Sequence, residues 1–274
     1  DYVMYNENNE VIAKGSSKWL VYDLKRNFLC SSKGIMENID FKDDKVYLDK
    51  FDKELEGRGL HFVRYADDSN IFVKSEMSAN RVMKSVTSWL ERKLFLKVSA
   101  TKTNVVRPTR SNFLGSSYVK MGNKWECRPS GKSKKSLYDK CRKELVRRIC
   151  IARPNAITFN KINQIVIGWI NYFRIGKMKN FIDEFGQWLR HKIRVIIIKQ
   201  WKKPMKVYRS LQLLNMKLPY HFTDEQIYSV ANSRLGWYKR ATGNTVNFLL
   251  NADILAIRKG DRPGLVNPLK YYLG

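Results

Sequence analysis

The residues most able to do chemistry are two adjacent aspartates, Asp67 and Asp68, which lie between two runs of β-branched and aromatic residues. Those runs, 61–65 and 71–73, predict two strands, and the polar segment 66–70 predicts the turn of a hairpin. Adjacent carboxylates repel each other, and a bound cation relieves that repulsion. Because Mg²⁺ prefers oxygen ligands and keeps substrate phosphates in its shell, the pair indicates a Mg²⁺ site for phosphoryl transfer. The simpler alternative is a polar turn that binds no metal.

Positive charge dominates the composition. The chain holds 52 Lys and Arg against 25 Asp and Glu, for a net charge of +27. The excess lies after residue 50, since residues 1–50 hold 8 bases and 9 acids while the remainder holds 44 bases and 16 acids. A compact protein of this charge is best matched by a polyanion, so nucleic acid is the expected partner. No apolar run of about 18 residues is present, so no membrane partner is expected.

Cysteine and histidine are too sparse to suggest a zinc module. The chain has four cysteines, none in a Cys-x-x-Cys pair, and three histidines, whereas structural zinc sites gather four such ligands at short spacings. The cysteines are therefore interpreted as packing residues of a protein in a reducing, cytoplasmic compartment. Hydrophobic residues make up 43% of the chain, which is enough for a folded core and argues against disorder.

Hydrophobic periodicity predicts how the segments after the hairpin fold. Apolar residues at three- and four-residue intervals predict a helix over 79–94, with Ser78 as its N-cap. Short strands are predicted next, at 96–98, 105–106 and 113–119. From residue 132 the period is helical, which indicates a small bundle. Its three amphipathic helices are predicted at 132–149, 160–173 and 178–201.

The predicted bundle carries its excess charge on the faces left for solvent. Residues 128–203 contain 20 Lys and Arg against 4 Asp and Glu, and since the apolar stripes face inward, the bases must cover the outer faces. Aromatic residues on the stripes are interpreted as core residues: Trp169, Tyr172, Phe173 and Trp188. A dense basic cluster at the start of the region is predicted to contact nucleic-acid phosphates. Its members are Lys132, Lys134, Lys135, Lys140, Arg142, Lys143, Arg147 and Arg148.

Several segments around the hairpin resemble group II intron-encoded reverse transcriptases. Residues 46–59 are similar to the helix that enters the family's catalytic hairpin, and residues 62–68 are similar to its metal-binding box. Residues 94–98, followed by Lys102, resemble the next motif, and this resemblance implies that Lys102 lies near the incoming nucleotide. Residues 113–115 resemble the primer-grip motif.

The resemblance continues into the maturase-specific region of that family, also called the thumb. Residues 162–164 with 168–173 are a near match to its signature, and residues 188–203 and 231–237 are similar to its later parts. The resemblance therefore covers residues 46–240, and several motifs in family order are more specific than any single one.

The resemblance implies an α+β protein: a partial reverse-transcriptase palm with an antiparallel sheet, followed by an α-helical thumb or maturase domain. An atypical N-terminal segment, the C-terminal part of the palm, the thumb and a C-terminal tail are expected at residues 1–45, 46–127, 128–240 and 241–274. The implied activities are RNA-directed DNA synthesis and intron splicing, with intron RNA, primer–template and deoxynucleoside triphosphates as partners. Asp67 and Asp68 would hold the Mg²⁺ cofactor, and Lys102 completes the implied catalytic set.

The chain departs from the family before residue 46. Neither a second metal-binding aspartate motif nor the family's Gln-Gly nucleotide-binding motif is recognisable there. Residues 21–28 are only faintly similar to the aspartate motif. Asp23 precedes Asp67 by only 44 residues, which leaves little room for the intervening elements, so Asp23 is interpreted as an acid at a strand edge and a metal-ligand role is the alternative. The site is therefore expected to be incomplete, as in a truncated or rearranged reading frame, and the chain alone to polymerise poorly. The other hypotheses are a non-catalytic maturase remnant that assists splicing and an unrelated basic RNA-binding protein.

Overall fold

The computed structural model describes residues 2–5, 11–15, 28–32, 44–99, 102–219, 221–258, 260 and 262–274, with the backbone alone for the first three ranges and for 44–47. The chain divides into an N-terminal unit, Asp1–Ser130, and a C-terminal unit, Gly131–Gly274. The C-terminal unit holds 29 Lys and Arg against 8 Asp and Glu, and the N-terminal unit holds 23 against 17. The excess positive charge is therefore concentrated in the C-terminal unit.

The described part of the N-terminal unit consists of short antiparallel strands and two helices. The helices are α1 (Asp44–Gly57) and α2 (Glu76–Lys93). The strands are β1 (Tyr2–Tyr5), β2 (Val11–Gly15), β3 (Phe28–Ser32), β4 (His61–Tyr65), β5 (Asp68–Val73), β6 (Asn104–Val106), β7 (Asn112–Phe113), β8 (Ser116–Met121) and β9 (Lys124–Pro129). They pair in the orders β1-β2, β4-β5-β3-β6 and β7-β8-β9. The predicted α+β class is confirmed.

The hairpin β4-β5 is held by apolar side chains on both of its faces. On one face, Ile71 of β5 packs in a cluster with Leu55 of α1 and Leu90 of α2, all nearly inaccessible to solvent. On the other face, Val63 of β4 packs in a cluster with Phe113 of β7. Alternate residues of a strand point to opposite faces, so the consecutive apolar residues of the two predicted strands build these two clusters.

The hairpin turn is shorter than the sequence predicted. Only Ala66 and Asp67 form the turn, because Tyr65 already pairs with Asp68 across the two strands. The polar residues Ser69 and Asn70 belong to β5 and are buried. Their backbone groups pair with β3 as well as with β4, so sheet formation overrides their preference for turns.

Two further local predictions in this unit were wrong. Ser75 caps α2 in place of Ser78, since the Ser75 side-chain oxygen accepts the backbone N–H of Ser78 at 3.2 Å. Residues 96–98 form no strand, because the backbone N–H of Leu96 bonds back to the carbonyl of Leu90 at 3.2 Å. The predicted strand at 113–119 is interrupted by a turn at 114–115, where both residues have positive φ.

The C-terminal unit is built from helices joined by turns and extended segments. Its helices are α3 (Gly131–Glu144), α4 (Arg147–Ala152), α5 (Asn155–Phe173), α6 (Lys179–Trp201), α7 (Pro204–Asn215), α8 (Asp224–Ala231), α9 (Trp237–Arg240), α10 (Asn244–Leu249), α11 (Ala252–Ala256) and α12 (Pro268–Leu273). Among the residues that the structure describes, no helix combines the length and the apolar character needed to cross a membrane.

Helix α6 forms the centre of this unit. Every residue from 193 to 198 is buried, and a helix segment that is buried all round must be surrounded by other elements. Helices α4, α7, α9 and α12 pack against it. The segment after residue 240, expected above to be a tail, contributes to the same core with Val246, Leu249, Leu255 and Leu265.

The first predicted helix of the bundle, 132–149, is two helices. Helix α3 ends at Glu144, whose carbonyl accepts hydrogen bonds from Cys150 Sγ and from the Arg153 guanidinium, both at 3.0 Å. These partners replace the i+4 amide that a continuous helix would supply. Ile149, predicted to lie on the apolar face, is therefore 53% exposed.

Asn163 of α5 fixes a distant part of the chain. Its side-chain amide donates to the Gly264 carbonyl at 2.8 Å, and its amide oxygen accepts the Val266 N–H at 2.8 Å. Gly264 is required there, because a β-carbon would lie 2.1 Å from the carbonyl oxygen of Ala256. The Asn163 side chain thus offers the 264–266 backbone one donor and one acceptor, as a neighbouring β-strand would.

Candidate active site and nucleic-acid interface

The two aspartates lie at the tip of the hairpin β4-β5. Asp67 is exposed in the two-residue turn, and Asp68 is half-buried as the first residue of β5. Ala66 has a φ of +50°, a conformation that tight hairpin turns require and that glycine usually supplies. A non-glycine residue held there costs on the order of 1 kcal/mol, so other contacts must hold the turn.

Arg64 provides such contacts. Its Nε donates to Asp52 Oδ1 at 2.7 Å, its Nη2 pairs with Asp52 Oδ2, and its Nη1 donates to the Ala66 carbonyl at 3.0 Å. The Arg64 and Asp52 side chains are only 17% and 26% exposed. One guanidinium therefore links α1 to β4 and to the strained residue that precedes Asp67. Sequence reasoning missed this pair, because a helix residue and a strand residue twelve positions apart share no pattern.

The strand order brings Lys102 to the same end of the sheet as the aspartates. Ser32, the last residue of β3, pairs with Ser69 of β5, and Asn104 of β6 pairs with Ser31. Asp68 and Lys102 therefore lie just beyond the paired residues on either side of β3, at the same end of the sheet. Lys102 is exposed, in a turn closed by bonds from its own N–H and that of the next residue to the Ser99 carbonyl.

The donor set at the hairpin tip fits Mg²⁺. Asp67 and Asp68 supply carboxylate oxygens, and Mg²⁺ is commonly bound by one or two carboxylates together with water and substrate phosphates. In the portions of the chain that the structure describes, no group of three or more His, Cys, Asp or Glu side chains is arranged to hold a metal. Asp23, which was weighed above as a further metal ligand, lies outside the described residues.

The eight predicted RNA-contacting bases lie on two consecutive helices. Six are on α3 and two begin α4, and all but Lys134 are exposed. Lys134 is half-buried, with Nζ 5.0 Å from the ring centre of Phe181. Helix α3 buries Leu137 and Cys141 on its opposite face. Apart from Lys134, the cations and the apolar residues thus occupy separate faces of one helix.

The four aromatic residues predicted to be core residues behave differently. Phe173 is buried, and Trp169 and Trp188 are half-buried beside the core. Trp169 also donates its indole N–H to the Ser133 carbonyl at 3.3 Å, which ties α5 to α3. Tyr172 is 55% exposed, so its assignment to the core was wrong.

Two arginines of this unit are buried and have a structural role. The Arg194 guanidinium donates to the Leu250 carbonyl at 2.9 Å, and that of Arg240 donates to the Ala231 carbonyl at 2.7 Å. Both carbonyls lie at C-terminal ends of helices, where cations are favoured. Burial, and after it the nearby Arg190, lowers the pKa of Arg194 to about 10. A basic composition therefore does not mean that every arginine contacts RNA.

Comparison with known protein families gives two matches. The reverse transcriptase (RNA-dependent DNA polymerase) family matches residues 45–118, from α1 through the hairpin to β8. The group II intron, maturase-specific domain matches residues 134–213, from α3 into α7. A comparison with curated proteins gives no significant match. Because the two domains follow each other in one chain, the protein belongs to the reverse transcriptases and maturases of group II introns.

Proposed function

We propose that this chain is an RNA-directed DNA polymerase and maturase that binds intron RNA and primer–template. The observation that carries the proposal is the separation of two sites along one chain. Carboxylates and Lys102 lie at the same end of one sheet, and outward-facing cations cover α3 and α4 of the helical unit. In this proposal the first unit is the C-terminal part of a palm and the second is a thumb.

The hairpin is the proposed catalytic part. Asp67 and Asp68 hold Mg²⁺, which supplies charge stabilisation for phosphoryl transfer when it is bound. Arg64 fixes the backbone that precedes Asp67, and Lys102 binds the phosphates of the incoming deoxynucleoside triphosphate by charge. Positioning of this kind is what phosphoryl transfer requires, since little covalent chemistry falls to the protein.

The helical unit is the proposed RNA-binding part. Each cation that neutralises a phosphate releases condensed counterions, so affinity falls as salt rises. Duplex RNA presents phosphates and 2′-hydroxyls in preference to base edges, so this surface recognises shape more than sequence. The unit has its own core, which supports a second candidate function. That candidate is a non-catalytic protein that binds intron RNA and assists splicing without polymerisation.

Binding is tested by the salt dependence of affinity for a structured intron RNA fragment. For six phosphate contacts, affinity should fall on the order of a thousandfold between about 50 and 200 mM salt. Replacing four exposed bases by glutamine, at Lys132, Lys135, Lys143 and Arg148, should leave a fall of about tenfold. The matched control removes the same charge from other helices and loops, at Lys206, Arg209, Lys217 and Arg258. Equal slopes for the two variants would refute binding through α3 and α4.

Catalysis is tested by primer extension on an RNA template with Mg²⁺. Asp67→Asn should abolish extension and leave RNA affinity unchanged, because Asp67 is remote in sequence from the basic helices and is exposed. Extension by this variant at the wild-type rate would refute a metal-binding role for Asp67. Salt-dependent RNA binding by a wild-type chain that shows no extension would support the non-catalytic maturase instead.

A further inference from the structure

A cavity of about 140 Å³ opens in the C-terminal unit between α3, α4, α6 and α9. Three cations line it: Arg142, Arg147 and Lys192. Two aromatic residues, Trp188 and Tyr238, also line it. The remaining lining residues are aliphatic, and none of them is acidic. Such a site suits an anionic group attached to a flat ring.

The cations are placed beside the rings. The Arg142 guanidinium carbon lies 5.6 Å from the ring centre of Trp188, and Lys192 Nζ lies 5.2 Å from that of Tyr238. Arg142 also pairs with the exposed Asp139 at 2.8 Å, so Arg147 and Lys192 are the cations left for a ligand. No ion pair joins either of them to a carboxylate within the described residues.

A histidine adjoins the cations of the cavity. His191, next to Lys192, has its ring 4.3 Å from that of Tyr238. Burial, followed by the charges of Lys192 and Arg194, lowers the pKa of His191. A protonated imidazole is therefore disfavoured at this place, first because the ring is buried and second because cations are near it.

The size of the cavity limits what it can hold. At about 140 Å³, the cavity accommodates a phosphate group but not a whole nucleotide. The rest of a nucleotide must remain at the rim, where the Tyr238 side chain is 56% exposed. Exposed aromatic rings are the usual platforms for unpaired bases.

We propose that this cavity binds one phosphate of an unpaired RNA nucleotide through Arg147 and Lys192, with the adjoining base stacked on Tyr238. The inference rests on the proposed RNA-binding function and gives it a specific site for single-stranded RNA. A base within a duplex is already stacked on its neighbours, so duplex RNA does not use Tyr238. The site therefore distinguishes unpaired loops and ends of an intron from its helices.

The test compares a short unpaired RNA with a blunt duplex of equal length, using the full chain. Tyr238→Leu should weaken binding of the unpaired RNA on the order of tenfold, without changing the salt slope or duplex binding. Lys192→Gln should reduce the slope for unpaired RNA by about 0.7, because one phosphate contact is lost. Lys192→Arg should restore that slope.

Matched controls exist in the same unit. Tyr228 on α8 is 58% exposed and lies outside the cavity, and Lys199 on α6 has the same intermediate burial as Lys192. Tyr228→Leu and Lys199→Gln should bind both RNAs as the wild type does. If Tyr238→Leu behaves like Tyr228→Leu, or Lys192→Gln like Lys199→Gln, the cavity is not the site. Salt-independent binding by the wild type would instead overturn the proposed function itself.

Discussion

Breaking the bond between Arg64 and Asp52 should destabilise the catalytic hairpin specifically. The perturbation is a double-mutant cycle of Asp52→Asn, Arg64→Gln and the combined variant. Asp52→Asn keeps the shape of the side chain and removes its charge, which leaves the guanidinium unpaired. Arg64→Gln leaves the carboxylate unpaired and also removes the bond to the Ala66 carbonyl.

The expected magnitude follows from burial. An exposed ion pair contributes about 0–1 kcal/mol, whereas loss of one partner from a buried pair costs about 3–5 kcal/mol. The two side chains are 17% and 26% exposed, so Asp52→Asn should cost about 2–3 kcal/mol. The lost bond to Ala66 adds about 1 kcal/mol for Arg64→Gln. We expect the pairwise coupling energy to be about 2 kcal/mol.

Hydrogen exchange of the backbone amides of residues 61–73 measures this energy. It reports local opening of the hairpin, which matters because two units need not unfold together. The control is Asp49→Asn on the same helix, which removes an ion pair with Lys53 whose side chains are 60% and 71% exposed. That variant should not change exchange in the hairpin. A coupling energy below about 0.5 kcal/mol would refute the argument that Arg64 and Asp52 hold the turn.

Three further predictions concern single residues. Ala66→Gly should leave hairpin stability unchanged or higher by up to about 1 kcal/mol, whereas Ala66→Val should destabilise it, in the same exchange experiment. Because the pKa of His191 is lowered in the fold, mainly by burial, the unfolded state takes up more protons, and stability should fall as pH drops through about 6.5. Denaturant titrations at several pH values should show this loss for the wild type and less of it for His191→Gln. Burial raises the pKa of Cys141 to about 12, so an aromatic disulfide reagent near pH 8 should modify Cys141 only after unfolding. Its rapid modification in the native protein would contradict the packed α3–α5 interface.

The hairpin could be predicted from the sequence because the local strand preferences of its residues agree with their tertiary packing. Consecutive apolar residues in β4 and β5 pack on both faces, so the runs of β-branched and aromatic residues alone locate the strands. The turn was predicted too long because Ser69 and Asn70 favour turns in isolation. Their burial depends on β3, which is about 40 residues earlier in the chain. A window of local sequence carries no information about that pairing.

The division between α3 and α4 was unpredictable for a similar reason. Apolar residues recur every four positions across the break, at Leu137, Cys141, Leu145 and Ile149. The helix ends because the Glu144 carbonyl has partners beyond the break, including the Arg153 guanidinium. Hydrophobic periodicity cannot reveal a hydrogen bond from a side chain to a backbone carbonyl.

At the candidate sites, composition predicted the kind of chemistry but not its arrangement. The basic cluster on α3 was visible as density of charge along the chain. The cavity was not, since Arg147, Lys192 and Tyr238 come from three helices that only the fold brings together. The role of Lys102 remains a prediction from resemblance, to which the strand order adds a position at the same sheet end as Asp68.

The hydrogen bonds that join Asn163 to Gly264 and Val266 can form only late in the synthesis of the helical unit. At about 5–20 residues per second, the hundred residues between the two ends take roughly 5–20 seconds to appear. Contacts so far apart in sequence also close late in folding, because the intervening loop loses entropy first. The α3 segment precedes Asn163 in the chain, so its residues are synthesised before the 264–266 segment. An RNA that meets the nascent chain in this interval meets the cations of α3 before the core beneath them is complete.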